Sequence, residues 1–491
     1  MYEQLRRLLR HSAAYTFATV LNRAFAIVLL PIYTRFLTQA EYGDFALLMV
    51  AVAILWVAFD LGLSQATTRF YYEHDGHEDR RRFIGSIWLT MTVVAGSIAV
   101  LITAFGEPLF AAVMPGVEFW PYVVLTVWST FLNAGNIIPK VLMRVREQST
   151  RFVLVVLGQS LVLLVAVLVL VVGLEMGLLG AVLATFIQCA GIYVVFTIYT
   201  LRNASLRVRW AYASPAVRLG LPIILLEVGW WVLDTSDRLI LRQYESARVV
   251  ALYSVGYALG RLIIMLSTSI DQGWTPFFYA EAKKDDGQAR RLAAYAATYF
   301  LLVVASAGLV VAVFAYEVVV LFAGEPYADA STVTPLILVA SVVQGMFYVP
   351  SRGLLLMKRS DLLPWVVGAG AVVNLGLNLV LIPAWGMYGA AVSTIAGYSA
   401  AVAVAFALSQ RCYRIDYQVR RMTTAMVVFV GLVAAATLVR PDALVAGLAW
   451  KALLLAAWPL LLLVARVFEK RELAAMGRLV RRRPATRGTP A

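Results

Sequence analysis

Two consecutive blocks, residues 152–173 (FVLVVLGQSLVLLVAVLVLVVG) and 177–200 (GLLGAVLATFIQCAGIYVVFTIYT), decide the fold class of this chain. Each block is apolar over about 20 residues, the length that an α-helix needs to cross about 30 Å of hydrocarbon. Strands of a membrane barrel would instead show short segments of alternating polarity. The blocks therefore predict membrane-spanning helices, whose backbone hydrogen bonds are satisfied within each helix.

The whole chain has the same character. Of its 491 residues, 61% are hydrophobic and 14% are charged, and the mean hydropathy is +0.79. Water-soluble domains are closer to half apolar and a quarter charged. Between the apolar blocks no segment exceeds about 20 residues, which is too short for a soluble domain. We therefore expect an all-α integral membrane protein without an appended catalytic domain, and we expect that it is not an enzyme.

Fourteen apolar blocks can be counted along the chain. The predicted spans are 12–34, 42–65, 83–105, 119–142, 152–173, 177–200, 216–237, 247–272, 292–316, 330–355, 362–383, 387–410, 420–439 and 443–465. With the N-terminus inside, most of the 42 lysines and arginines fall in cytoplasmic segments, as the positive-inside rule requires. We therefore expect a multi-pass protein with both termini in the cytoplasm.

The net charge of +14 arises from these same basic loops, such as Arg80 to Arg82, and from a basic tail that contains Arg481 to Arg483. Topology and attraction to anionic lipid headgroups explain such clusters, so nucleic acid is not an expected partner. In the tail, apolar residues between 466 and 480 alternate with basic ones, which predicts a helix lying on the inner leaflet.

Metal-ligating residues are scarce. The cysteines Cys189 and Cys412 lie within or next to apolar blocks, and His74 and His77 lie in a short charged loop. Neither pair has the ligand spacing of a metal site. The sequence therefore predicts no metal and no cofactor.

An internal repeat appears when the chain is shifted against itself by about 210 residues. The stretch 69–73 (RFYYE) then meets 277–281 (FFYAE), and 177–181 (GLLGA) meets 386–390 (GMYGA). Pro139 similarly meets Pro350. Each match is weak alone, but their shared spacing predicts duplication of a six-helix unit.

The repeat predicts the domain organisation. We expect an N-terminal six-helix bundle at 1–210, a C-terminal six-helix bundle at 211–415, two further helices at 416–465 and a basic cytoplasmic tail at 466–491. Two pseudo-symmetric bundles around a central cavity are typical of transporters that work by alternating access. A helical scaffold with a duplicated core and no transport is the alternative.

Two arginines lie near the middle of predicted spans, Arg23 in the first and Arg261 in the eighth. A charge at that depth is costly unless it faces a wet cavity or a partner. Because a guanidinium binds phosphate through a planar, bidentate fork, this pair predicts an anionic cargo. Thr19, Asn22, Asn136 and Tyr257 are the polar residues that we expect to line the same cavity.

Three carboxylates also lie within predicted spans, and they are candidates for binding a coupling ion: Asp60, Glu227 and Asp234. Two structural alternatives remain open. Glu227 and Arg23 could pair with each other, and Asp234 could form an i,i+4 ion pair with Arg238.

Residues 31–43 (PIYTRFLTQAEYG) resemble the signature between the first two helices of Wzx-type polysaccharide flippases. Residues 237–241 (DRLIL) followed by 251–254 (ALYS) resemble the corresponding signature between helices 7 and 8. The resemblance implies the polysaccharide transporter family of the multidrug/oligosaccharidyl-lipid/polysaccharide (MOP) exporter superfamily, with its MATE-like architecture of fourteen helices.

What the resemblance implies about function is specific. It implies a flippase that moves undecaprenyl-pyrophosphate-linked oligosaccharide, such as an O-antigen, capsule or exopolysaccharide repeat unit, across the bacterial cytoplasmic (inner) membrane. Arg23 and Arg261 would bind the pyrophosphate, with coupling to H⁺ or Na⁺ left open. Membrane lipids, and a polysaccharide polymerase or glycosyltransferases, would be its partners. The alternatives are a lipid II flippase or an ion-coupled multidrug exporter of the same superfamily.

Overall fold

The computed structural model describes residue 25 and residues 28–74, 76–205, 209–439, 441, 443–469 and 472. Within these ranges the chain is helical and contains no strand. Eleven of the described helical segments are long and apolar enough to cross a membrane. The protein is therefore an all-helical, multi-pass membrane protein.

Residues 28–36 are helical and precede the helices that we number here. In the first half these are α1 (Gln39–Asp60), α2 (Leu63–Phe70), α3 (His77–Phe105), α4 (Glu107–Val113), α5 (Val124–Ala134), α6 (Ile137–Val145), α7 (Ser149–Val167) and α8 (Gly177–Asn203). Short π-helical turns, Phe119–Val123 and Leu168–Gly173, precede α5 and extend α7.

The second half contains the longer helices. They are α9 (Trp210–Tyr244), α10 (Ala247–Lys284), α11 (Asp286–Val313), α12 (Ala315–Ala323), α13 (Ala330–Met346), α14 (Tyr348–Leu356) and α15 (Leu363–Cys412), followed by α16 (Val419–Leu438) and α17 (Leu444–Val464).

The predicted spans can be compared with these helices. Span 12–34 lies mostly outside the described residues. Spans 42–65, 119–142 and 330–355 are each divided into shorter segments, and spans 362–383 and 387–410 are two helical segments of α15 that meet at a kink at Gly386. The count of fourteen therefore remains a prediction, while the helical class and the membrane-spanning character are confirmed.

Proline explains two of the helix breaks. Pro139 has no backbone N–H, so the carbonyl four residues earlier, that of Gly135, loses its helical partner. The helix is interrupted there between α5 and α6, and Gly135 O instead accepts a hydrogen bond from the Trp88 indole at 3.2 Å. In the second half α13 ends and α14 begins just before Pro350. The two prolines that the repeat aligns thus follow equivalent breaks.

Glycine explains the turns before α8 and within α15. Gly177 has φ of 55° and Gly386 has φ of 53°, in the left-handed region that side chains disfavour. The carboxylate of a glutamate also lies directly against each glycine. A Cβ at Gly177 would lie 2.2 Å from Glu41 Oε1, and a Cβ at Gly386 would lie 2.6 Å from Glu245 Oε1. The two halves therefore build the same turn in the same way.

The helix bundle has two ends, which we name by residues within them. The Thr38 face contains the connections at 37–38, 114–118, 245–246 and 324–329, and the Arg80 face contains those at 71–76, 146–148 and 413–418. At the Thr38 face the two halves are in direct contact. The Gln39 side-chain amide donates to the carbonyl of Pro326, and the rings of Tyr42 and Tyr327 meet edge to face at 5.8 Å.

Helix α1 also packs backbone to backbone on α10 at this face. A Cβ at Gly43 would lie 2.0 Å from the carbonyl oxygen of Ala247, so only glycine permits this approach. Nearer the Arg80 face, the break between α1 and α2 touches α9, where a Cβ at Gly220 would lie 2.0 Å from Leu61 O. Between these two contacts lies the site described next.

Candidate functional site

A cavity of about 650 Å³ lies between helices of the two halves. Residues 29–33 and α1, α7 and α8 line it from the first half, and α9, α10, α12, α13 and α15 line it from the second. Its wall is mostly aliphatic and aromatic, with polar groups at a few positions. Concave spaces of this kind, with few placed polar groups, are where small-molecule ligands bind.

Arg261 of α10 faces this cavity. Its side chain is exposed, although residues Val255 to Gly260 immediately before it on the helix are buried except for the half-buried Ala258. No carboxylate of a described residue forms an ion pair with it. The structure thus places one of the two predicted arginines as an unpaired guanidinium in the cavity wall.

Asp234 of α9 lies on the same cavity and is held by two neutral donors. Its Oδ1 accepts hydrogen bonds from Gln344 Nε2 at 3.1 Å and from the hydroxyl of Tyr398. These donors come from α13 and α15, so the carboxylate joins three helices of the second half. Its side-chain hydrogen bonds therefore come from neutral groups and not from a cation.

Arg238 does not form the i,i+4 ion pair with the Asp234 carboxylate that we considered. Its Nη1 donates to the backbone carbonyl of Asp234 at 2.9 Å, and its charged partner is Asp237, at 3.6 Å. Its guanidinium also lies 4.1 Å from the ring centroid of Tyr257. The hydroxyl of Tyr253 completes the group by donating to Asp237 Oδ2 at 2.6 Å.

The Asp237–Arg238 pair is buried, with 0% and 5% of the two residues exposed, and the sequence reasoning gave no role to Asp237. A buried ion pair needs hydrogen bonds and ring contacts on every side to offset its desolvation. This pair has them, and its two opposite charges partly offset each other. Arg261 is left as the cation that faces the space.

The two other predicted carboxylates lie toward the Arg80 face. Asp60 ends α1, and its oxygens accept from the Ser64 backbone N–H at 3.2 Å and from the Ser64 hydroxyl at 2.9 Å. Glu227 of α9 is exposed and has no hydrogen bond to a described residue. Helical spacing puts Glu227 on the same side of α9 as Gly220 and Trp231, which both contact the first half.

The remaining predicted residues fall elsewhere. Tyr257 lines the cavity and packs against Arg238. Asn136 is fully buried at the break between α5 and α6 and does not belong to the described cavity wall. Thr19, Asn22 and Arg23 lie outside the described residues. Their lining of the cavity and an ion pair between Glu227 and Arg23 therefore stay predictions. No group of three or more His, Cys, Asp or Glu that could hold a metal occurs in the described ranges.

A multi-pass helical fold with a cavity between its two halves and a charged side chain in the cavity wall is typical of membrane transporters. The chain belongs to the polysaccharide biosynthesis protein family, whose model matches residues 8–280. This confirms the family that the sequence signatures predicted. No curated protein sequence matches the chain.

Solved structures with the same fold are transporters of the MOP superfamily. The lipid II flippase MurJ in an inward closed conformation superposes with a TM-score of 0.72 at 12% identity, over 94% of this chain and 99% of that chain. An inward-facing multidrug resistance MATE transporter gives 0.64 at 16% identity, over 79% and 94%. A variant of the Vibrio cholerae MATE transporter VcmN gives 0.61 at 14% identity, over 83% and 97%. At these identities the likeness establishes the fold.

Proposed function

We propose that this protein is a flippase for undecaprenyl-pyrophosphate-linked oligosaccharide, such as an O-antigen, capsule or exopolysaccharide repeat unit. The observation that carries the proposal is Arg261, a guanidinium in the wall of a cavity between the two halves that forms no ion pair with a described carboxylate. A guanidinium in a site of low dielectric binds a diphosphate strongly and remains charged at any cellular pH. Arg23 is proposed as its counterpart from the first half.

The transport step follows from the position of the cavity. The diphosphate and the sugars enter the cavity while the isoprenoid chain stays in the bilayer. The Thr38 face is closed by the contacts of Gln39 and Tyr42 with the second half. When those contacts separate, the same cavity opens to that side. No covalent chemistry is needed, because only the accessible side of the membrane changes.

The location and direction of transport are proposed from the distribution of charge. The Arg80 face has the basic loops and therefore lies in the cytoplasm of a bacterial cell, with both termini on that side. The Thr38 face then points outward, and the glycan moves from the inner to the outer leaflet of the cytoplasmic membrane. Glycosyltransferases would supply the cargo and a polysaccharide polymerase would consume it.

The carboxylates Asp60, Glu227 and Asp234 remain the candidates for ion coupling. All three lie on the side of the helices that faces the junction of the two halves. Protonation or sodium binding at one of them would change the net charge near Arg261 and therefore the affinity for an anion. Transport measured with a pH gradient and with a sodium gradient separates these two possibilities.

A second function is favoured by one observation. The carboxylate of Asp234 lines the cavity, as expected for an ion-coupled exporter of cationic compounds, and MATE structures share the fold. Arg261 on the same wall opposes a cationic cargo. A lipid II flippase also shares the fold. If this chain had that function, its cargo would be the peptidoglycan precursor.

The test is a deletion of the gene, followed by measurement of lipid-linked glycan on the inner leaflet. We expect the glycan to accumulate inside, and we expect Arg261→Ala to fail to restore export while Arg261→Lys restores it partly. Arg218→Ala is the matched control, because Arg218 is an exposed arginine of α9 that does not line the cavity.

Export at the wild-type rate by Arg261→Ala, at equal membrane abundance, would disprove the anion-binding role. Loss of viability with accumulated lipid II would instead support the peptidoglycan alternative. Unchanged glycan together with sensitivity to cationic drugs would support the exporter.

A further inference from the structure

Few charged side chains face the cavity. Among the described residues of the wall, Arg261 is the cation and Asp234 is the carboxylate. Arg238 is close by, but its charge is satisfied by Asp237 at 3.6 Å and its guanidinium is covered by the ring of Tyr257. Once a diphosphate occupies Arg261, the described wall offers no second cation to the sugars that follow.

Two further carboxylates lie toward the Arg80 face, beyond the lining of the cavity. Glu227 precedes Asp234 by seven residues, which is two helical turns and about 10 Å along the same side of α9. It is exposed even though Gly220 and Trp231, on the same side, touch the first half below and above it. An exposed side chain between two helix contacts faces a gap between the halves. Asp60, at the end of α1, adds a carboxylate to this region.

Neutral groups complete the wall, and they suit a sugar. Tyr33, Tyr42, Phe45 and Tyr398 present aromatic surface to the cavity, on which the C–H faces of a pyranose can pack. Thr185, Ser341 and Gln344 add hydrogen-bonding groups. Carboxylates accept hydrogen bonds from hydroxyls and, more strongly, from ammonium groups.

From this distribution of charge we infer that the glycan is neutral or contains amino sugars, and that the carboxylates Asp60 and Glu227 select against acidic glycans. This inference rests on the proposed function and adds the substrate class. A uronic acid or other anionic sugar would bring its charge close to these two carboxylates, and neither of them has an ion pair with a described cation. Like charges brought together repel, so acidic sugars bind less well than neutral ones.

The test uses matched ligands and the full chain in lipid nanodiscs. Three prenyl-diphosphate disaccharides share a short prenyl chain and differ in the second sugar, which is a hexose, a hexuronic acid or a hexosamine. Their affinities are measured at low and high salt. We expect the hexuronic acid to bind at least about tenfold more weakly than the hexose at low salt, and the difference to shrink at high salt because exposed charges are screened.

Variants locate the origin of the discrimination. Asp60→Asn combined with Glu227→Gln is expected to bring the hexose and hexuronic acid affinities to within about threefold of each other, since both repelling charges are removed. The matched control is Glu317→Gln, a carboxylate of α12 in contact with Lys451 that does not line the cavity. It should retain the full discrimination.

The outcomes separate this inference from the function on which it rests. If none of the three ligands binds better than the prenyl alcohol, the proposed function fails. If all three bind and the hexuronic acid binds as well as the hexose, the substrate class is wrong while the flippase proposal stands. Discrimination that persists unchanged in the Asp60→Asn, Glu227→Gln variant would also overturn the assignment to these residues.

Discussion

The carboxylate of Glu41 accepts a hydrogen bond from the backbone N–H of Leu178 at 3.1 Å, across 137 positions of the chain. Its other oxygen accepts from the backbone N–H of Thr38 at 2.9 Å, which forms a capping box at the start of α1. One side chain therefore satisfies the N-terminal ends of two helices, where backbone N–H groups lack helical partners.

Loss of this carboxylate should weaken both helix ends. Glu41→Ala removes acceptors from the capping box and from Leu178, and a lost cap costs about 1 kcal/mol. In detergent we expect the thermal midpoint to fall by about 2 °C. Glu107→Ala, at the exposed start of α4, is the control and should leave the midpoint unchanged. Equal midpoints for the two variants would contradict the shared-cap role.

The contact between Gln39 and Pro326 provides a test of the opening at the Thr38 face. In a chain without Cys189 and Cys412, the pair Gln39→Cys and Pro326→Cys should form a disulfide that joins the two halves. We expect oxidation to stop glycan export and reduction to restore it, because the cavity can no longer open to that side. The two single-cysteine variants should export under both conditions. Continued export by the fully crosslinked protein would show that this face does not open.

The buried pair Asp237–Arg238 should show strong coupling. Asp237→Asn alone leaves a buried guanidinium without its charged partner, which costs about 3 to 5 kcal/mol. Arg238→Gln alone likewise leaves the buried carboxylate of Asp237 without its charged partner. We expect the double variant to lose less stability than the two single losses added together, measured as thermal midpoint and folded yield. Additive losses would mean that the two side chains do not act as a pair.

Much of the fold could be read from the sequence because the signals are local. Apolar blocks show membrane helices directly, and an arginine such as Arg261 stands out within one. The shift of about 210 residues was visible because turns need particular residues, notably Gly177 and Gly386 at positive φ. These constraints act at single positions, so they can be recognised in the sequence.

The pairing around Asp234 could not be read in the same way. Spacing alone favours an Asp234–Arg238 pair, since residues four apart share a helix side. In the structure Arg238 pairs with its neighbour Asp237, because the Asp234 carboxylate accepts hydrogen bonds from Gln344 and Tyr398. Both donors are more than 100 positions away, and nothing in their local sequence signals this contact. Partner choice in a helical membrane protein depends on helix rotation, which composition does not encode.

The junction between α1 and α2 has a mechanical consequence. Leu61 has φ of 51°, a left-handed conformation that costs a residue with a side chain about 1 kcal/mol. Close packing of Gly220 on its carbonyl holds it there. In the proposed transport cycle, separation of the two halves would remove this contact and allow the bend to relax toward a straight helix. The contact with α9 thus holds the junction between α1 and α2 in a conformation of slightly higher energy, which favours straightening once the two halves separate.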